Sequence, residues 1–195
     1  MLQPPLPANE TDRVRTLQLY KVLDTGSEKM LDDLTQLAAS ICETPMAAIS
    51  LIDENRQWFK SKVGIDAAET SRDVAFCAHA ILSPQDVTVV NDAREDERFR
   101  DNPFVQNDPN IRFYAGAPIV TLEGLAMGTL CVMDSQPRAL ETYQVDALNA
   151  LSRQVSAMLE MRSLSRALKL QLEDREWYEH QMHARIRMPR RRWVA

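Results

Sequence analysis

The chain has 195 residues, 45% hydrophobic and 26% charged, the balance of an ordinary globular domain with enough length for a substantial core. No apolar run approaches the roughly eighteen residues of a membrane span. The opening MLQPPLPANETDR lacks the basic and apolar regions of a secretion signal. Three cysteines without metal-type spacing argue against a disulfide framework, so the expected setting is cytoplasmic and reducing. The net charge of −5 is uneven: the last eleven residues hold five arginines and no acid, leaving −10 on the rest. An acidic body is a poor partner for phosphate backbones, so no nucleic-acid role is expected.

Residues 1–9 are proline-rich and predict an extended arm. A helix follows from Asn9, with Val14, Leu17, Leu19 and Tyr20 as its apolar stripe, and it breaks at Asp24-Thr25-Gly26. Thr25 and Glu28 have capping-box spacing, with Ser27 a competing N-cap. Met30, Leu31, Leu34, Leu37, Ala38 and Ile41 recur at helical period and predict an amphipathic helix ending near Thr44-Pro45. Residues 46–53 and 57–63 read as two strands of a hairpin around Asp53-Glu54-Asn55. Residues 64–73 are polar and predict a loop. Residues 74–82 (VAFCAHAIL) predict a short buried helix, and 87–90 a brief strand. The charged stretch after it has Phe99 and Phe104 as anchors in a solvated, salt-bridged loop. A second hairpin is predicted over 111–120 and 125–133, with Gly116 and Gly128 inside its strands, where glycine marks a bulge or a close backbone approach.

From Leu140 the pattern is helical for more than forty residues. Leu151, Val155, Met158, Met161, Leu164, Leu168 and Leu172 have the mean spacing of a heptad seam. A helix of this length outruns a small domain, so its distal half needs an apolar partner, most simply a second copy. Pro189 is the expected stop. This order of elements predicts an α+β domain with an antiparallel sheet of about five to six strands, flanked by helices and followed by a long C-terminal helix. The expected division is an arm over 1–9, a domain over 10–160, a dimerisation helix over 161–184 and a disordered basic tail over 185–195.

LDT (23–25), PMAAISLIDENRQWFKSKVG (45–64), FCAHAI (76–81), NDAREDERFRDNP (91–103), IRFYAGAPI (111–119) and GTLCVMDSQPR (128–138) together resemble a bacterial subgroup of GAF domains. Members of that subgroup commonly precede diguanylate cyclase, histidine kinase or phosphodiesterase modules. The resemblance implies a PAS-like sheet in strand order 2-1-5-4-3, with first and last helices on one face and a ligand pocket on the other. It also implies a terminal helix that continues as a coiled-coil signalling linker. The expected function is a regulatory sensor without catalysis of its own, acting on a downstream effector.

The candidate binding residues are Trp58, Phe59, Phe76, Cys77, His79, Arg112, Phe113 and Tyr114. Along a strand neighbouring side chains point to opposite faces, so one of Trp58/Phe59 and one of Phe113/Tyr114 faces the helices and the other the pocket. With Phe76, His79 and Arg112 they suit a small amphipathic or anionic ligand; alternatively they simply fill a closed core. No cofactor follows from the residues. Cys77 and His79 sit about 200° apart on a helix, which argues against a nucleophile–base or metal pair. Asp92, Asp96 and Asp101 lack a calcium-loop pattern, and His180 and His183 read as helical surface. GAF proteins that reduce free methionine sulfoxide, hold a bilin or bind cyclic nucleotides carry motifs not recognisable in this chain. The alternatives retained are a dimerisation or interaction module with a closed pocket, and a small redox enzyme of the methionine-sulfoxide-reductase type using Cys77 or Cys131.

Overall fold

The structure is a computed structural model describing residues 1–186. The arginine-rich end from residue 187, the stop expected at Pro189 and the side chain of His183 lie outside the described residues. Two helices open the chain, α1 (Glu10–Tyr20) and α2 (Lys29–Cys42). Arg13, Leu17 and Tyr20 of α1 face inward, whereas Leu19 of the predicted stripe is exposed. In α2 the buried positions Leu31, Thr35, Ala38, Ala39 and Cys42 follow helical period.

The capping box predicted before α2 does not form. Glu28 is the N-cap and makes no side-chain cap, and Thr25 instead donates to the Val22 carbonyl at 2.6 Å. The reason is Lys60. Its buried ammonium group reaches Thr25 Oγ1 at 2.9 Å, the Gly26 carbonyl at 2.6 Å and the Glu28 carboxylate at 2.7 Å. A buried cation requires this full set of acceptors, and the turn is shaped around it.

The sheet contains β1 (Met46–Ile52), β2 (Arg56–Val63), β3 (Glu69–Ser71), β4 (Thr88–Val90), β5 (Phe113–Val120) and β6 (Ala126–Asp134). Its order is β3-β2-β1-β6-β5-β4, and the pairings are antiparallel. Without β3 this is the order the resemblance implies. β3 corrects the loop expected over 64–73: Glu69–Ser71 pairs with Arg56–Trp58, and a 3-10 turn over Arg72–Val74 follows. Arg56 braces that edge by ion pairs to Asp24, Asp53 and Glu69. A bulge in β2 opposite Ile49 and Ser50 leaves Lys60 without a partner residue. Lys60 and Ser61 therefore both turn toward α2, where Ser61 donates to Asp32 at 2.6 Å.

Two hydrophobic cores lie on the two faces. On one, Ala47, Ile49, Leu51, Trp58, Phe113, Ala115, Ile119, Leu130 and Val132 pack against α1, α2 and α5 (Thr142–Ile186). On the other, Ala48, Ile52, Tyr114, Cys131 and Met133 pack against α3 (Phe76–Ala80), α4 (Pro103–Gln106) and the loop carrying Phe99. The sheet is thus buried on both faces, and its strands read as nearly continuous apolar runs for that reason.

Helix α5 has 45 residues, about 68 Å at 1.5 Å per residue. Its first part supplies Leu148, Val155 and Leu159 to the core. Beyond Leu159 (1% exposed) the seam emerges: Met161 is 71% exposed, Leu164 61% and Leu168 57%. Among the described residues no helix is long and apolar enough to cross a membrane.

Candidate functional site

The face opposite the long helix holds a cavity of about 230 Å³ between the sheet, α3 and two loops. Met46, Phe59, Phe76, Phe104, Ile111 and Met133 give it an apolar wall. Its mouth is framed by exposed Asp66 and Ala67 on one side and exposed Asp108 and Pro109 on the other. Gly64 sets the near lip. A β-carbon there would meet the Pro45 carbonyl at 2.2 Å, and its φ of +68° lies in the region that favours glycine.

One polar side chain in the wall is incompletely satisfied. Gln57 is 7% exposed and donates from Nε2 to Thr70 Oγ1 at 3.2 Å, while its Oε1 is buried without a partner. A buried amide oxygen without a hydrogen bond costs roughly 1–3 kcal/mol, which a donor entering the cavity recovers.

The floor is a sulfur-centred cluster. Cys77 Sγ on α3 lies 3.8 Å from Cys131 Sγ on β6 and 3.4 Å from Tyr114 Oη, which donates to it. Cys131 is 3.5 Å from the Ala48 carbonyl. Ser50 and Thr129, neighbours across β1 and β6, carry buried hydroxyls that lack a partner of ordinary geometry. Gly116 makes the cluster possible, because a β-carbon at that position would sit 2.1 Å from Tyr114 Oη. Burial raises the Cys77 pKa, but the S–H and O–H groups of Cys131, Ser50, Thr129 and Tyr114, all placed to donate to a thiolate there, outweigh it and hold the thiol below its ordinary range. Cys131 is pushed well above that range by its contact with Cys77 and by burial. Cys42, on the helix face, is pushed up to about 11 by burial alone.

Of the eight residues singled out from the sequence, Phe59, Phe76, Cys77 and Tyr114 line the cavity. Trp58 and Phe113 belong to the opposite core, as strand alternation requires of one member of each pair. His79 is held on α3 away from the cavity, its ring edge-on to Phe99 at 5.0 Å. Arg112 spends its guanidinium on the carbonyls of Val105, at 2.6 Å, and Ile111. Without it the described lining contains two aspartates and no lysine or arginine, which removes the basis for an anionic ligand. Gln57, Asp66 and Asp108 were missed: Gln57 looks like any polar strand residue, and the two aspartates lie on loops whose approach is purely tertiary. Among the described residues no group of three His, Cys, Asp or Glu side chains is placed to hold a metal ion.

A six-stranded antiparallel sheet with long helices on one face and a small cavity on the other defines a GAF/PAS-like α+β domain. The GAF domain profile matches residues 27–159, and the chain belongs to the GAF domain family. A Pseudomonas aeruginosa protein named as a cyclic di-GMP phosphodiesterase is 43% identical over 160 residues, or 82% of this chain. The chain spans only 27% of that relative's length. The GAF domain of an Acinetobacter phosphoenolpyruvate-protein phosphotransferase superposes with a TM-score of 0.57 at 18% identity, covering 80% of this chain and 95% of that one. The Thermosynechococcus elongatus PixJ GAF domain gives 0.60 at 15% identity, covering 82% and 95%. At these identities the structural likeness concerns the fold alone.

Proposed function

We propose that this chain is a regulatory GAF module that senses a small uncharged or cationic ligand and transmits occupancy through α5 to an effector, with no catalysis of its own. The observation that carries the reading is the buried Gln57 amide, with Oε1 unpartnered, in the wall of an otherwise apolar cavity. A cavity of roughly 150 Å³ is enough for benzene, so 230 Å³ suits one aromatic or aliphatic ring with short substituents. The ligand presents a donor to Gln57, and any charge it carries is positive, facing Asp66 and Asp108 at the mouth. A cyclic dinucleotide is disfavoured, since its two phosphates need cations that the described lining lacks. The name of the Pseudomonas relative supports cyclic-dinucleotide turnover as the effector's activity, not as this domain's ligand.

The output is a homodimer joined through the exposed seam of α5. Ligand binding shifts the packing of that helix only if it favours one arrangement over another. A closed-pocket interaction module is the second reading, favoured by the same seam. Thermal denaturation separates them. Small neutral and cationic aromatic compounds should raise the midpoint of the full chain, aromatic carboxylates should not, and Gln57→Leu should abolish the rise. A panel that leaves the midpoint unmoved while the chain sediments as a dimer selects the interaction module.

A further inference from the structure

The cavity floor brings together two thiols that are 54 positions apart in sequence. Small buried cysteines are usually inert because apolar neighbours disfavour the thiolate. Cys77 is different: Tyr114 donates to its sulfur, and the unpartnered hydroxyls of Ser50 and Thr129 stand on the same sheet face beside it. Two buried hydroxyls without acceptors are an expense, and an ionised sulfur is the acceptor that satisfies them. Cys131 supplies a second thiol at 3.8 Å, in S–H···S reach. Both cysteines line the cavity, Cys77 2% exposed and Cys131 fully buried, so an oxidant entering between Asp66 and Asp108 meets Cys77 first. Cys42 has none of this: it is buried on the other face, away from the cavity.

We propose that Cys77 and Cys131 form a peroxide-responsive thiol pair that closes reversibly to an intramolecular disulfide at the cavity floor. The oxidant is hydrogen peroxide. The Cys77 thiolate attacks the distal peroxide oxygen, the O–O bond breaks, and Cys77 sulfenic acid forms while the departing hydroxide takes a proton to become water. The Cys131 sulfur then attacks the sulfenic sulfur, the S–O bond breaks, and a second water leaves with the Cys131 proton. Two thiols lose two electrons and two protons, and the peroxide is reduced to two waters. Closing the pair from 3.8 Å to the roughly 2.05 Å of a disulfide draws α3 onto β6. Bond formation requires no occupant of the cavity. The low thiolate cost at Cys77 is consistent with this order of attack.

The test is hydrogen peroxide added to the fully reduced full-length chain, followed by intact mass and by peptide mapping without reduction. The expected result is loss of the mass of two hydrogens, a crosslinked peptide pair containing Cys77 and Cys131, unmodified Cys42, and full reversal by dithiothreitol. Cys77→Ser abolishes the loss. Tyr114→Phe slows it by about tenfold, the equivalent of one pH unit of thiolate stabilisation. The proposal is overturned by an unchanged mass under excess peroxide, by oxygen added at Cys77 without a crosslink, or by a crosslink that involves Cys42 or a second chain. The wild-type map decides between these outcomes even if a variant fails to fold.

Discussion

The phenol of Tyr20, at the end of α1, donates to the carboxylate of Glu160, in the turn where α5 leaves the domain. Arg162 of α5, two residues on, is 3.3 Å from the Glu28 carboxylate that also holds Lys60. The stem of the long helix is therefore fixed to the loop between α1 and α2 as well as to the apolar core. Burial and the adjacent Glu160 raise the Tyr20 pKa, so the phenol stays a donor at any physiological pH.

Tyr20→Phe keeps the ring and removes this tie. Hydrogen bonds to charged groups contribute about 1.5–3 kcal/mol, and water replaces part of that for a half-exposed carboxylate. A loss of about 1 kcal/mol is expected, which lowers the melting midpoint by roughly 2–4 °C in a chain of this size. Circular dichroism melting checks it. An unchanged midpoint means that apolar packing of Leu148, Val155 and Leu159 alone anchors the stem.

Acidification should weaken the fold in two stages. Burial, together with the nearby Arg98 charge, lowers the His79 pKa from the usual 6.5. The unfolded chain then binds the proton more readily, and stability falls as pH drops below about 6.5. Glu10 comes next. Burial raises its pKa, but hydrogen bonds from Arg13 and Arg72 outweigh that and lower it from 4.5 to about 2. Its stabilisation is complete above pH 4.5 and is lost as pH falls toward 2. Urea midpoints measured across this range should decline in both windows. Glu10→Gln should shrink the lower decline, to which Asp24, Asp92 and Asp96 also contribute through their arginine partners, and leave the upper one; an undiminished lower decline refutes the assignment.

Much of this fold was legible because its signals are local. The alternation at Trp58-Phe59 and Phe113-Tyr114 divided the sheet faces, and the heptad spacing of Leu151 to Leu172 marked the long helix before any contact was known. What escaped depends on partners distant in the chain. Glu69–Ser71 has no periodicity and is a strand only because Arg56–Trp58 offers it an edge. Thr25 has a capping sequence but serves Lys60 instead, thirty-five positions away. An open cavity and a closed core were equally compatible with the sequence, because the filling is decided by side chains distant in the chain. The polarity was hidden as well, since Arg112 serves carbonyls of its own neighbourhood and nothing near Cys77 in sequence announces Cys131.

The glycines offer a clean comparison of space and strain. At Gly128 a β-carbon would lie 1.9 Å from the Ser50 carbonyl and 2.8 Å from Leu51 Cα, both backbone atoms of the paired strand. Gly128→Ala must push β1 and β6 apart in the centre of the sheet, and a loss of about 3 kcal/mol or more is expected. At Gly26 nothing lies within 4 Å. Gly26→Ala should be neutral or stabilising by about 0.4–1 kcal/mol, through the unfolded chain. Equal destabilisation by the two substitutions in chemical denaturation contradicts the strand pairing described above.

The proposed dimer makes the sharpest demand on α5. Met161, Leu164, Leu168 and Leu172 follow one face of the helix and are half-exposed or more, whereas Leu159 just before them is 1% exposed. A single helix of this length projecting from a domain gains nothing by displaying that seam to water. Two copies in register bury it, at roughly 25 cal/mol for each Å² removed from solvent. The Lys169–Glu173 pair beside the seam, at 4.0 Å within one helix, leaves flanking charge available to set register. Leu164→Glu combined with Leu168→Glu alters only exposed positions, so each domain should keep its native circular dichroism and its core. Sedimentation equilibrium should show the native chain at twice its 22.2 kDa and the double variant at the single mass. The melting midpoint of the native chain should also rise with concentration, while that of the variant should not. A native chain that sediments as a monomer at tens of micromolar removes the dimer from the proposal and leaves the seam to an effector's helix.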